Sequence, residues 1–487
     1  VSLIDLLIYL IIAWIIIYYI LVKKVKKYFA PYGPALLIKT QAGVKTIDKV
    51  SRTKFWDYFV TFFYYSMPIF GILTVILLIW EAFIILSIPK SAAPPLSYAL
   101  ALPGINPVIP VGFGIVGLII AVALHEAAHG IAARRFNIPV RSTGLLWFII
   151  PIGAFVEPDE NVMKERDSKT RGKIFAAGPG MNVTLAVIFL ILAIVLAYSF
   201  TPVSGAPVQS SLSPSILPGD IIEKIGNINI KNVSTFSLLS FTPGTNVSVL
   251  LNRNGNLISE NVTYGVYITG IVVGYPAQEA GIKIGSIILS VNGKEITNIT
   301  NFENILSGYQ AGQTIFVKTL YKNSIHSYNV TLASKYSYLI SAGDNAPGIP
   351  KTYPFMGIDV SLMGLSLFDQ YSYINLLRDP FSSGPLGFFV YLGLPFHYEL
   401  PLPATLQSSF NANIIVLNME YLFYWLFWLN FALGLTNILP LVPLDGGYVL
   451  LNMPALQKNQ KLRNVIVAVI GLSVLFLILW QLIIPRI

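Results

Sequence analysis

The sequence predicts an α-helical membrane protein with about six transmembrane helices and an inserted extracytoplasmic pair of small β-rich domains. Three observations carry that prediction. Hydrophobic residues make up 54 % of the 487 and charged residues 11 %, where a soluble domain holds about 25 % charged. Apolar runs long enough to span a bilayer recur along the chain. Between residues 205 and 334 the composition turns polar and rich in Gly and Asn, with short apolar alternations, the pattern of β structure.

The first apolar run, Leu6 to Val22, has no basic residue before it and is too long for a signal peptide. Lys23, Lys24, Lys26 and Lys27 follow it, which sets this end in the cytosol and the N-terminus outside. Residues 28–58 are polar and basic, with Lys39, Lys45, Lys49, Arg52 and Lys54, and read as cytosolic. A second span, Phe59 to Leu86, leads to a Pro-rich loop whose one basic residue is Lys90, suited to the outer side. The third, Val111 to Ala133, ends on Arg134 and Arg135 and so returns inward. After a basic stretch the fourth, Phe175 to Phe200, runs outward.

Residues 335–412 read as an irregular extracytoplasmic segment in which Pro385 to Leu394 is apolar but too short to span. The fifth span, Tyr421 to Leu441, goes inward. Lys458, Lys461 and Arg463 mark the cytosol, and the sixth, Val465 to Ile484, goes out. The chain divides accordingly into an N-terminal anchor and cytosolic segment (1–58), a first membrane part (59–204), two β-rich units (205–266 and 267–334), the irregular segment (335–412) and a second membrane part (413–487).

The net charge of +9 lies beside apolar spans, so topology rather than nucleic acid accounts for it. The chain has no cysteine, which excludes disulfides, thiolate metal sites and thiol nucleophiles.

The β-rich region repeats itself. Gly219 to Phe236 aligns without gaps on Gly285 to Phe302, and Gly244 to Thr263 matches Gly312 to Thr331 in the same order. Two copies of one small domain explain this better than chance. Asn-x-Ser/Thr triplets at Asn232, Asn246, Asn261, Asn298 and Asn329 agree with an outer location, although such triplets arise readily in Asn-rich sequence.

The chemistry concentrates in the third span, where His125-Glu126-Ala127-Ala128-His129 matches H-E-x-x-H. Positions i and i+4 share a helix face, so two imidazoles can hold one zinc ion while Glu126 serves its bound water as general base. Charged and polar side chains inside a span cost roughly 2.5–3.5 kcal/mol each on insertion scales and are usually functional. The plain alternative is a helix end whose polar residues reach the interface. A hydrolytic zinc site needs a third protein ligand. His326 and His397 are expected outside. Asp445, in the segment Asn437 to Gly447 with Pro440, Pro443, Gly446 and Gly447, is expected at the same depth as the histidines. A turn-capping carboxylate is the competing reading of Asp445.

These residues resemble the site-2 protease family of intramembrane zinc metalloproteases. The resemblance covers His125–His129, Asn437–Gly447, the segment Gly144 to Val156, which looks like a membrane-dipping β segment, and Ala177-Gly-Pro-Gly-Met-Asn182. The repeats look like PDZ domains at Gly219-Asp220-Ile-Ile and at Gly285-Ser286-Ile-Ile with Val291-Asn292-Gly293. The first copy departs from that pattern with Gly226-Asn227 in place of the Asn-Gly turn.

The resemblance implies a zinc metalloendopeptidase of the cell membrane that cleaves membrane-spanning protein substrates, with a first-cutting protease as a further partner. It implies zinc ligation by His125, His129 and Asp445, with Glu126 as base. It also implies substrate pairing with Gly153, Ala154 and Phe155 as an added strand. Asn437 either binds substrate backbone or makes a local turn bond. Glu157, Asp159 and Glu160 read as solvated loop charges. The rival class is a non-cleaving membrane chaperone or scaffold built around the PDZ-like pair. A metal-carrying transporter is a third, disfavoured by the absence of a clear inverted repeat.

Overall fold

The computed structural model describes residues 3–25, 29–87, 93–148, 150–344 and 346–486. Lys26, Lys27, Lys90 and Ile149, used above, lie outside these. The chain forms two compact units, one from residues 1–86, 94–193 and 420–487, the other from 87–93 and 194–419.

In the first unit, α1 is Leu3–Lys24 and α3 is Phe55–Ile84, with the short α2, Val44–Val50, between them. The helix α4 is Val111–Arg135 and α6 is Ser168–Ala197, separated by the short α5, Glu160–Glu165. The later helices are Ile414–Ile438, Asp445–Leu451 and Gln460–Ile483; residues 194–197 of α6 and 414–419 of the first of these belong to the second unit. Among the described residues, five helices are long and apolar enough to cross a membrane: α3, α4, α6, Ile414–Ile438 and Gln460–Arg486. The sequence led us to expect about six. The remaining expected span, Leu6 to Val22, falls on α1, part of which lies outside the fully described residues. Large apolar side chains such as Phe62, Ile76, Ile119 and Leu472 stand exposed, as on a surface solvated by lipid.

Small residues let these helices approach, which matters where hydrophobicity cannot drive helix against helix. A Cβ on Gly117 of α4 would meet Leu429 Cδ1 at 2.6 Å, and one on Gly180 of α6 would meet Phe63 Cγ of α3 at 2.5 Å. A buried cluster that includes Trp56, Phe63, Tyr64, Ala128, Ala132, Ile138, Ile174 and Ile438 joins α3, α4, α6 and the end of Ile414–Ile438. Arg134 and Arg135, read above as topology signals, are also structural. Arg134 pairs with Asp48, and Arg135 Nε donates to Asp57 Oδ1 at 2.8 Å.

The unit also holds a four-stranded antiparallel sheet in the order β1 (Phe29–Tyr32), β2 (Ala35–Thr40), β3 (Val140–Phe148), β4 (Ile150–Pro158). The expected membrane-dipping segment is therefore a hairpin, β3 on β4, with Gly144 opposite Phe155 and Leu146 opposite Gly153. Residues 28–58 are more than the polar segment expected. Their run Ala35–Ile38, after the turn formers Gly33 and Pro34, supplies β2, which pairs with β3 from Leu36 opposite Trp147 to Thr40 opposite Thr143. Gly144 is required at this point, because a Cβ there would run into the Ile38 carbonyl oxygen.

In the second unit the repeats take the same form. Strand Ile221–Ile225 corresponds to Ile287–Val291. The hairpin Asn246–Arg253 with Asn256–Thr263 corresponds to Thr314–Tyr321 with Ser324–Thr331. The short helix Val233–Ser237 corresponds to Ile299–Ser307. Asn232 and Asn298, which open two of the Asn-x-Ser/Thr triplets noted above, are the N-caps of those helices, accepting from Thr235 N–H and Asn301 N–H. One buried apolar cluster runs through both copies, from Ala206 and Ile222 to Ile288 and Leu365. Buried Tyr264 ties them further, its single hydroxyl hydrogen shared between the carbonyls of Leu239 and Thr297.

Residues 335–412 are not the irregular segment expected. Strand Ile358–Leu362 pairs with Val266–Ile271 as the edge of the second sheet. Leu365–Leu367 pairs with Ala206–Ser211 as the edge of the first. Farther on, Gln370 donates to the carbonyls of Val203 and Gly205, and Phe410–Asn411 pairs with Thr201–Pro202. The apolar stretch Pro385–Leu392 is a helix.

Candidate metal centre

Three elements of the first unit bring His125, His129 and Asp445 to one point. The two histidines are one turn apart on α4, which no Pro or charge interrupts before Glu126. Asp445 begins the short helix Asp445–Leu451, after a turn that folds tightly back on the end of Ile414–Ile438. That turn requires its glycines for close approach: a Cβ on Gly446 would run into the Ile438 carbonyl oxygen, and one on Gly447 would lie 2.5 Å from Leu441 C. The third element is α6, whose Gly178 faces the imidazoles. Any side chain there would collide with Nε2 of both histidines.

His125 Nε2 lies 3.1 Å and His129 Nε2 3.2 Å from Asp445 Oδ2, and the two Nε2 atoms are 3.1 Å apart. Ligands held at about 2.0–2.2 Å around a tetrahedral zinc lie roughly 3.3 Å from one another. The spacing therefore suits one ion with little movement. One ligand atom from each of the three residues lies within 4.8 Å of the others. His129 Nδ1 is 2.8 Å from the Ile174 carbonyl oxygen. That oxygen can only accept, so Nδ1 carries a proton and turns Nε2 toward the cluster. His125 Nδ1 contacts Asn182 Oδ1. A divalent cation satisfies two imidazole nitrogens and a carboxylate oxygen together, and the donor set, without sulfur, fits zinc.

Glu126 turns from the same helix toward the sheet, where its Oε2 accepts from Val156 N–H of β4 at 3.3 Å. Strand β4 packs closely on α4 at this point, since a Cβ on Gly130 would meet Val156 Cγ1 at 2.7 Å. It pairs with β3 on one side and is the sheet's edge on the other. Val156 N–H points away from β3. By the alternation of an antiparallel ladder, Ala154 presents its N–H and C=O along that same edge, whereas Gly153 and Phe155 face β3.

Asn437 donates to the Leu433 carbonyl, one turn back in its own helix, at 3.1 Å. The expectation that Glu157 is a free loop charge does not hold. Lys39 Nζ lies 2.8 Å from it and Ser142 also donates to it. Burial pushes its pKa up, but the hydrogen bonds from Lys39 and Ser142, with the charges of Lys39 and Arg141, outweigh burial and hold the carboxyl below its ordinary range. Asp159 is a helix cap that also binds Arg141, and Glu160 pairs with Lys164 at 3.4 Å. His326 and His397 belong to the second unit. The sequence reading missed Asn430, which is fully buried and bonds to Asn182. Its signal was a lone amide in the apolar run from Tyr424 to Gly434.

A model of the peptidase family M50 matches residues 113–480. The chain belongs to peptidase family M50. This is the site-2 protease family that the motifs resembled, and the matched region holds His125, Glu126, His129 and Asp445. Membership makes the chain a membrane metallopeptidase of a generally zinc-dependent family. An uncharacterized protein of Methanocaldococcus jannaschii is 26 % identical over 457 residues, covering 93 % of this chain and 86 % of that one. Probable periplasmic DegP-like serine endoproteases of Chlamydia pneumoniae and Chlamydia muridarum are 31 % and 29 % identical over 70 and 97 residues. The chain spans only 14 % and 18 % of their lengths. A PDZ domain of an SdrC-like protein from Listeria monocytogenes is matched over 90 % of its length and 20 % of this chain, at 19 % identity and a TM-score of 0.17.

Proposed function

We propose that this M50 chain is an intramembrane zinc metalloprotease that cuts peptide bonds of membrane-spanning proteins with metal-activated water. The observation that carries the reading is the convergence of His125 Nε2, His129 Nε2 and Asp445 Oδ2 beside a glutamate and an open strand edge. Zinc bound there would polarise the scissile carbonyl and lower the pKa of its water to about 7. Glu126 takes the water's proton and passes it to the leaving amide nitrogen. A helical substrate hides its peptide bonds, so it must be extended to be cut. The free edge of β4 offers a template for that extension. Ala154 supplies the pairing N–H and C=O, with Gly153 and Phe155 shaping the strand around it. Asn437 keeps its local bond and is assigned no substrate contact.

The test uses purified full-length protein in lipid vesicles with single-span substrates. Cleavage should vanish on chelation and return with zinc. Chelator-resistant cleavage, or a zinc-loaded protein that cuts none of a broad set of single-span proteins, would count against the reading. The latter result would favour the scaffold class.

The proposed location is the cell membrane, with a topology that follows the basic residues: PDZ-like repeats extracytoplasmic and zinc toward the cytosolic side. A first-cutting protease would supply substrates whose outer part is already short. Cysteines introduced singly into the repeat region of this cysteine-free chain should react with a membrane-impermeant thiol reagent on intact cells. Reaction only after the cells are opened would reverse the proposed orientation.

A further inference from the structure

A chain of buried amides runs away from His125. His125 Nδ1 contacts Asn182 Oδ1. Asn182 Nδ2 donates to the Ala121 carbonyl at 3.3 Å and to Asn430 Oδ1 at 3.0 Å. Asn430 Nδ2 donates to the Leu426 carbonyl at 2.8 Å. Asn182 and Asn430 are both fully buried, and they sit on different membrane helices, α6 and Ile414–Ile438.

The far end of this chain sets its polarity. A backbone carbonyl can only accept, so Leu426 takes the Asn430 amide hydrogen and turns Asn430 Oδ1 toward Asn182. That oxygen in turn fixes the Asn182 amide group outward, as does the Ala121 carbonyl, and leaves Oδ1 facing His125. A neutral imidazole has one N–H. With an acceptor at Nδ1 the proton sits there, and the Nε2 lone pair is free for a metal. We propose that Asn182, oriented by Asn430, is a positioning residue that holds His125 in its metal-binding tautomer. This rests on the zinc-site reading above. His129 reaches the same state through the main-chain carbonyl of Ile174. Only the anchor of His125 is made of side chains, so only that one can be removed by substitution.

Ligating imidazoles generally depend on such outer partners, and losing one costs about 10–100-fold in metal affinity. The competing role is plain packing, in which Asn182 joins two helices by hydrogen bonds. Zinc affinity of the full-length protein in detergent, measured by chelator competition, separates the two. Asn182→Leu should weaken zinc by about 10–100-fold and alter the absorption of the cobalt-substituted protein. Asn182→Asp keeps an acceptor at His125 and should stay near the unaltered affinity. A packing role predicts that both variants lose affinity alike, in step with their melting temperatures, and that result overturns the proposal. So does a folded Asn182→Leu with unaltered affinity. Should Asn182→Leu fail to fold, Asn430→Leu carries the test: it leaves Asn182 in place but removes what orients it. An affinity equal to that of the unaltered protein then overturns the relay. Unaltered protein that binds zinc but cleaves nothing defeats the protease reading and leaves this inference standing.

Discussion

Glu126→Gln is expected to keep zinc bound and to lower cleavage by about 10²–10⁴-fold, the usual contribution of a positioned general base. Glutamine preserves the shape of the side chain and can still accept the hydrogen bond that Val156 N–H gives to Glu126 Oε2. The packing of α4 on β4 therefore survives, and only the ability to take a proton is lost. Cleavage of a single-span substrate by the purified variant is the measurement, with metal content determined on the same sample. A zinc-loaded Glu126→Gln protein cutting at the unaltered rate would remove Glu126 from the mechanism.

Asp445→Ala is expected to weaken zinc binding by more than the roughly 100-fold that loss of an outer partner can cause, and to stop cleavage. Two Nε2 atoms 3.1 Å apart would remain, short of the three protein ligands a hydrolytic site uses. Asp445→Glu and Asp445→His keep a donor and should retain part of the affinity. Zinc titration of the Asp445→Ala protein decides the matter. Full affinity in that variant would require another residue to complete the site. Glu157 is poorly placed to do so, since Lys39 and Ser142 already engage it.

What could be read from the sequence follows from how local each signal is. A membrane helix announces itself in some twenty consecutive residues, so α3, α4, α6 and the last two long helices were legible. However, α6 and Ile414–Ile438 each begin a good turn and a half before the apolar run that revealed them, because their first turns are polar or mixed. His125, Glu126 and His129 were legible because one helical turn fixes their relation. Asp445 needed a longer inference, from the sense of each span and from the helix breakers around it. Strands β1 and β2 escaped because Ala35–Ile38 is brief and surrounded by lysines, and its partner β3 lies far along the chain. Ile358–Leu362 and Leu365–Leu367 escaped for the same reason: a short strand has no mark of its own partner. Asn430 left a mark, an amide amid apolar residues, but its purpose appears only when α6 is placed beside it.

The strands that finish the two repeats also set an order for their making. The chain opens the first sheet at Ala206, opens the second at Val266, closes the second with Ile358–Leu362, and then, after a turn through Met363 and Gly364 at positive φ, closes the first with Leu365–Leu367. The repeats are nested like brackets. A ribosome releases residues from the N-terminal end, and domains fold as they emerge. Here the copy synthesised first cannot be completed until the copy synthesised second is already whole. The last strand to arrive, three residues long, closes both the first sheet and the pair.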